Sequence, residues 1–164
     1  IGVDPPDPEA AAVLADIIDA GGSLVGRIYR YEPSGAYSAY PGSFTALSPG
    51  RGYWLKTEME VAAAVYGGEA AGEASFVREG WNMVGPPGVE AVPFSEIRVR
   101  DGELEMSWNE ARDAGLIRYS IYRYKPGAGY VFCGPTAAPP NDVMTPGLGY
   151  WMRTMKEGLC LLFP

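Results

Sequence analysis

Aromatic side chains are the residues of this chain best suited to chemistry, because the flat faces of their rings can stack on sugar rings. The chain has 11 tyrosines and 4 tryptophans. Many of these rings recur at strand positions, where core and cross-strand packing is the stronger explanation. The better ligand candidates lie outside those positions, and they are Tyr37, Tyr40 and Tyr130. A carbohydrate-binding module needs a row of such rings exposed on one face or in one groove.

Catalytic chemistry is poorly supported by the composition. The chain contains no histidine, so the commonest general base and the commonest zinc ligand are both missing. Ser–His and Cys–His nucleophile pairs are excluded for the same reason. The carboxylates never fall at the short alternating spacing of a calcium loop, and no glycine-rich phosphate loop occurs. We therefore expect a protein that is not an enzyme, with no catalytic residues, no metal site and no cofactor.

The charge balance limits the partners. Lysine and arginine number 13 against 20 aspartates and glutamates, which gives a formal net charge of −7. Nucleic-acid binding needs a basic patch that releases counterions from phosphates, so DNA and RNA are not expected partners. No apolar run approaches the roughly 18 residues of a membrane span, so we expect no membrane insertion. A hydrophobic content of 47% with 22 glycines and 15 prolines predicts a folded, turn-rich chain.

An internal repeat must position the aromatic residues. Two anchors recur in the same order, with Tyr37 and Tyr130 at corresponding positions between them: Ile28-Tyr29-Arg30-Tyr31 with Ile121-Tyr122-Arg123-Tyr124, and Pro49-Gly50-Arg51-Gly52-Tyr53-Trp54 with Pro146-Gly147-Leu148-Gly149-Tyr150-Trp151. Self-similarity of this kind indicates related structural units. We divide the chain into a first β-rich unit at 1–72 and a second at 73–164.

Local patterns predict a different insert in each unit. In the first, Asp7-Pro8-Glu9 is typical of a helix start, and the apolar stripe that follows predicts a helix over about 8–20. In the second, Asp101-Gly102 between alternating runs predicts a hairpin at 97–106, with Arg100 opposite Glu103.

A short helix is predicted after that hairpin. Ser107 and Glu110 have the spacing of a capping box, in which the two side chains satisfy backbone N–H groups reciprocally. The helix covers about 108–114 and ends at Gly115.

The fold class that follows is mainly β with one or two short helices. Neither unit closes its own sheet edges, and open edges favour association. We therefore expect a tandem pair of related β-rich units that share one core and pack as one pseudo-two-fold sandwich or barrel-like domain.

The second unit resembles a repeat found in secreted and cell-surface bacterial multidomain proteins. The motifs that carry the resemblance are Gly80-Trp81-Asn82-Met83-Val84, the Tyr-Arg-Tyr run and the Gly-Tyr-Trp run. The resemblance implies a non-catalytic extracellular or cell-surface module with a structural, adhesive or assembly role. The alternative is a carbohydrate-binding module that uses exposed tyrosine and tryptophan rings on a polysaccharide.

The first unit has no counterpart of the strand predicted at 80–84. Its sheet edge beside Ile1, Gly2 and Val3 is therefore a candidate assembly edge, because unpaired backbone groups attract another strand. Other copies of this chain or neighbouring domains of a parent protein are the candidate partners. The alternative is that a loop or the chain's own residues 159–163 cover this edge.

Two cysteines are too few for a disulfide framework. Pairing of strands at 121–133 and 149–162 places Cys133 and Cys160 at opposite ends. A disulfide needs Cα atoms within about 7 Å, so we expect both thiols to be free.

Overall fold

A computed structural model describes residues 28–48, 50–56, 73–75, 78–88 and 90–164. The helix predicted at about 8–20 and the candidate edge at Ile1, Gly2 and Val3 lie outside the described residues. No helix within the described ranges has the length and apolar character needed to cross a bilayer.

The described residues form short strands and one helix, which confirms the mainly β class. The strands are β1 (Ile28–Tyr31), β2 (Tyr37–Ala39), β3 (Trp54–Leu55), β4 (Glu73–Ser75), β5 (Gly80–Val84), β6 (Val92–Pro93), β7 (Arg98–Asp101), β8 (Leu104–Ser107), β9 (Ile117–Lys125), β10 (Gly129–Cys133), β11 (Val143–Met144), β12 (Tyr150–Thr154) and β13 (Leu159–Leu162), and the helix is α1 (Trp108–Asp113).

These strands make antiparallel sheets. Two four-stranded sheets have the orders β10-β9-β12-β5 and β4-β13-β7-β8. A three-stranded sheet has the order β2-β1-β3, and β11 pairs with β6. None of these sheets closes into a barrel within the part of the chain that the structure describes.

The repeated segments pair in the same register in both units. Tyr31 lies opposite Tyr37 across β1 and β2, and Tyr124 lies opposite Tyr130 across β9 and β10. The third strands also correspond, because Trp54 of β3 faces Tyr29 just as Trp151 of β12 faces Tyr122. Residues that correspond in sequence therefore lie at corresponding places in the two sheets.

One part-buried hydrogen bond recurs with the repeat. The backbone N–H of Ser48 donates to the Tyr53 hydroxyl over 2.8 Å, and that of Thr145 donates to the Tyr150 hydroxyl over 2.7 Å. In both units this hydrogen bond links the residue before the Pro-Gly turn to the beginning of the strand that follows.

A hairpin is present at β7 and β8, but its register differs from the one we predicted. Arg100 faces Glu105, Val99 faces Met106 and Asp101 faces Leu104. The turn is therefore Gly102-Glu103, with Gly102 at φ +60°. A turn with glycine first needs positive φ only at that glycine, whereas an Asp-Gly turn would impose it on Asp101 as well. The shift by two residues keeps every side chain on its predicted face.

Helix α1 begins with the capping box that the sequence indicates. Glu110 N–H donates to the Ser107 hydroxyl over 3.3 Å, and Ser107 N–H donates to the Glu110 carboxylate over 2.7 Å. At the other end, Leu116 N–H donates to Ala111 O and Gly115 N–H to Arg112 O, which is the Schellman pattern that ends a helix.

The carboxyl-terminal run that we took as one strand at 149–162 divides between two sheets. After β12 the chain turns at residues 155–158, and β13 pairs with β7 and β4 instead of β9. Lys156 holds this turn against β7 through its ammonium, which lies 2.7 Å from the Asp101 carboxylate. Cys133 and Cys160 consequently lie in different sheets, and neither forms a disulfide, as predicted.

The main hydrophobic cluster lies in the second unit. Its buried members come from 84–163 and include Phe94, Trp108 and Tyr150, whose rings meet edge to face. In the first unit the buried residues Ile28 and Leu47 are not part of that cluster. The single shared core that we expected is therefore not found among the described residues, and the units meet through other contacts.

Candidate functional site

An open groove with a volume of about 420 Å³ is lined by aromatic side chains. The lining residues are Tyr31, Tyr37, Trp81, Tyr122, Tyr130 and Trp151. They come from β1, β2, β5, β9, β10 and β12, so the groove is built from both units.

Strand geometry places these rings on common faces. Trp151 lies opposite Tyr122, and Trp81 lies opposite Arg153, two positions along β12 from Trp151. Because side chains two residues apart share a face of a sheet, Trp81, Tyr122 and Trp151 converge. Their ring centroids are 6.3 Å apart for Trp81 and Tyr122, and 6.5 Å apart for Trp81 and Trp151.

The two units meet through reciprocal ring contacts beside this groove. Tyr31 of the first unit meets Trp151 of the second at a centroid distance of 4.8 Å and an angle of 79°. Trp54 of the first unit meets Tyr124 of the second at 5.2 Å and 68°. The repeat makes Tyr31 equivalent to Tyr124 and Trp54 equivalent to Trp151. Each contact is therefore the counterpart of the other with the units exchanged.

Exposure separates the rings that a ligand can reach from those that pack. Tyr130 is 58% exposed, Tyr37 is 51% exposed and Trp81 is 37% exposed, whereas Trp151 is 8% exposed. Trp151 therefore forms the buried base of the groove, and the other three form its accessible walls.

Two of the three aromatic residues predicted as ligand candidates belong to the groove. Tyr37 and Tyr130 line it, but Tyr40 does not. The half-buried Tyr40 ring packs against Phe44 at a centroid distance of 6.2 Å.

Sequence reasoning missed Trp81 as a wall of the groove. Trp81 was not among the ligand candidates that we named from the sequence, whereas Trp108 is buried in the main cluster. In the structure, strand alternation places Trp81 on the face opposite the buried Asn82 and Val84. The sequence carries no signal for this arrangement, because an asparagine beside apolar residues is ordinarily expected to face solvent.

A buried polar network fixes the start of β5 and thereby Trp81. The Asn82 amide donates to Gly80 O over 3.0 Å and to the Thr154 hydroxyl over 3.1 Å. That hydroxyl in turn donates to Arg78 O over 3.0 Å. Because buried polar groups are costly unless paired, these bonds hold residues 78–82 in one position. The Asn of the Gly-Trp-Asn motif therefore has a structural role.

The side chains that line the groove carry no charged group. Partial burial raises the pKa of the Tyr37 hydroxyl from its ordinary value of 10.0, although a hydrogen bond with Trp54 opposes this change. The neutral hydroxyl of Tyr37 can both donate and accept hydrogen bonds. Arg78 lies at the border, with its guanidinium carbon 4.6 Å from the Tyr31 ring centroid.

The described residues contain no cluster of three or more histidine, cysteine, aspartate or glutamate side chains that could hold a metal ion. The aromatic groove is therefore the feature on which we base a function. Comparisons with family models, curated proteins and solved structures give no match to this chain.

Proposed function

We propose that this chain is a non-catalytic adhesive module that binds polysaccharide in its aromatic groove. The observation that carries the proposal is the grouping of Tyr37, Trp81 and Tyr130, three exposed rings, around one open groove. An exposed aromatic patch of this kind is costly to leave in water and commonly marks a binding surface.

The size and chemistry of the groove suit a sugar chain. A volume of about 420 Å³ lies within the range of small-ligand sites, which is roughly 300–1,000 Å³. Pyranose rings have apolar faces, which pack on aromatic rings, and polar edges, which need hydrogen bonds. Tyrosine offers both an apolar body and a hydroxyl, so the four tyrosines of the groove can satisfy both requirements.

We further propose that the two units are arranged about a pseudo-two-fold axis. The matched registers of the two sheets, the matched Tyr53 and Tyr150 hydrogen bonds and the reciprocal ring contacts support this arrangement. In such an arrangement Tyr37 and Tyr130 are equivalent, and they present similar surfaces to a ligand that is itself a repeating polymer.

The secreted or cell-surface location is part of the same proposal. It rests on the resemblance to repeat units of bacterial multidomain proteins. The purely structural or assembly role remains the second candidate for those units, but its sheet edge at Ile1, Gly2 and Val3 lies outside the described residues. The exposed groove favours the adhesive role.

The test is a binding titration by calorimetry or tryptophan fluorescence with a panel of oligosaccharides. Tyr37→Ala, Trp81→Ala and Tyr130→Ala should each weaken binding by about tenfold, which is roughly 1.4 kcal/mol. Tyr40→Ala is the matched control, since that ring lies outside the groove, and it should bind like the unaltered protein. Circular dichroism checks that each variant is folded.

Failure of every saccharide in the panel to bind would refute the proposal. The same conclusion follows if the three groove variants bind a saccharide as tightly as the Tyr40→Ala control does.

A further inference from the structure

The aromatic groove adjoins a second, smaller cleft that is rich in arginine. The two share Tyr31 and Trp81 in their linings. The smaller cleft, with a volume of about 30 Å³, is also lined by Arg30, Arg51 and Arg78. A ligand lying across Tyr31 and Trp81 therefore reaches the arginines at its end.

Arg78 is held in place by Tyr31 and Trp81, the two residues that both linings share. Its guanidinium lies over the Tyr31 ring, and its Nη2 donates to Trp81 O over 2.7 Å. The backbone of Arg78 is fixed as well, through the hydrogen bond from Thr154. These contacts set the position of the cation, and the hydrogen bonds given to described residues use one of the five guanidinium N–H groups, so others can meet a ligand.

The local charge is positive after the internal ion pair is counted. Arg30 pairs with Glu32 over 2.8 Å. A hydrogen bond from Ser38 lowers the pKa of Glu32, and the nearby Arg30 and Arg51 lower it further, so Glu32 is ionised. Neither Arg51 nor Arg78 has a carboxylate ion-pair partner among the described residues, and the cleft lining contains no Asp or Glu.

This concentration of positive charge runs against the composition, since the whole chain has a net charge of −7. Surface arginines of an acidic protein ordinarily have abundant carboxylate partners. Two arginines beside an apolar groove are instead suited to an anionic ligand, and the planar guanidinium matches a carboxylate in a bidentate geometry.

We infer that the groove binds an acidic polysaccharide, with a uronic acid carboxylate on Arg51 and Arg78 and the sugar rings on the aromatic walls. This inference rests on the proposed function of the groove. It adds the charge of the ligand and the residues that select it.

The experiment compares three oligosaccharide probes of equal length: an oligogalacturonate, its methyl ester and a sulfated neutral oligosaccharide. Calorimetry at about 20 mM and about 300 mM NaCl gives the affinity and its salt dependence. We expect the carboxylate form to bind about tenfold or more tightly than the ester, with a difference that shrinks in high salt.

Variants assign this preference to the cleft. Arg51→Gln and Arg78→Gln should each reduce the preference for the carboxylate form over the ester. Arg118→Gln is the charge-matched control, because the exposed Arg118 lines neither cavity, and it should retain the full preference. The salt dependence of the unaltered protein provides a second measurement if a variant does not fold.

Equal binding of the acid and the ester overturns the inference but leaves the proposed groove function intact. Preference for the sulfated probe over the carboxylate overturns the assignment to uronic acids. If none of these probes binds, and none of the oligosaccharides in the panel used to test the proposed function binds either, the proposed function is overturned together with the inference.

Discussion

Strand position decides whether a tyrosine of this chain maintains the fold or faces a ligand. Tyr53 and Tyr150 are buried, and each hydroxyl accepts a backbone N–H from five residues earlier. Tyr37 and Tyr130 lie on strands that leave half or more of the side chain exposed. Since a buried hydroxyl must be paired, the first two are committed to the fold, whereas the second two remain available to solvent.

The hydrogen bond of Tyr150 gives a stability prediction at the level of one atom. Tyr150→Phe removes the only partner that the structure gives the Thr145 N–H among the described residues. Loss of this part-buried hydrogen bond should lower the free energy of unfolding by about 0.5–1.5 kcal/mol. Chemical denaturation measures the loss, and Tyr119→Phe, whose hydroxyl makes no hydrogen bond to another described residue, is the control. Equal losses in the two variants would show that the bond contributes nothing.

Two buried groups also predict how stability depends on alkaline pH. Burial raises the pKa of the Cys133 thiol above its ordinary value of 9.0 and that of Tyr150 above 10.0. The unfolded chain therefore releases these protons at a lower pH than the folded protein does. The free energy of unfolding should be fully retained below about pH 9 and should fall as pH rises further.

Denaturation series from about pH 7 to about pH 11 test this dependence. Cys133→Ala should weaken the early part of the decline and Tyr150→Phe the later part, because each removes one titrating group. A free energy of unfolding that stays constant or rises over this interval would contradict the assignment.

At the scale of elements, sequence patterns located several structures but not every pairing. The capping box of Ser107 and Glu110 is local, so its spacing alone predicts α1. The hairpin depends on which residue of Asp101-Gly102 begins the turn, and two registers that differ by two residues place the same side chains on the same face. The division between β12 and β13 depends on the pairing of β13 with β7 and β4, which are contacts between residues distant in sequence.

The loop at 50–52 of the first unit contacts the edge of β5, and this contact requires glycine at position 52. Gly52 N–H donates to Met83 O over 3.1 Å, so the loop at 50–52 covers part of the β5 edge that faces away from β12. A Cβ at Gly52 would lie 2.4 Å from Met83 Cγ and 3.1 Å from Val84 O. This close approach leaves no room for a side chain.

Gly52→Ala should therefore destabilise the protein by about 1–3 kcal/mol, as overpacking does elsewhere. Gly42→Ala is the matched control, because a Cβ there meets only Ala39 O at 3.8 Å. Thermal unfolding measures both variants, and the control should be neutral or slightly stabilised through the loss of unfolded-state entropy. Equal melting temperatures for the two variants would mean that the loop does not contact β5 in solution.

At the scale of the whole molecule, the candidate site could be predicted only in part. Tyr37 and Tyr130 were accessible to sequence reasoning because they lie between the repeated anchors. Tyr31 and Trp151 recur within those anchors, and so their pattern indicates packing. They do pack, but against each other across the two units, and this contact builds the base of a groove that neither unit forms alone.

The same cross-unit contacts predict that the two units unfold together. Within the described part of the first unit the sheet has three short strands, and isolated sheets of that size are marginal without further packing. Its packing comes from Tyr31 on Trp151, Trp54 on Tyr124 and the loop on β5. Loss of the second unit's structure should therefore remove the support of the first.

Hydrogen exchange at single amides, together with calorimetry, tests this cooperativity. We expect one calorimetric transition whose van't Hoff and calorimetric enthalpies agree, as in a two-state domain.

Trp151→Ala should speed exchange of the β1 and β2 amides as well as those of β9, because removing that ring takes away the surface on which Tyr31 packs. Trp108→Ala leaves a cavity in the main cluster, away from both cross-unit ring pairs. This variant should lower the melting temperature without separating the unfolding of the two units. Two resolved transitions in the unaltered protein, or exchange of β1 and β2 that ignores the loss of Trp151, would show instead that the units are independent and that the groove between them is not a fixed site.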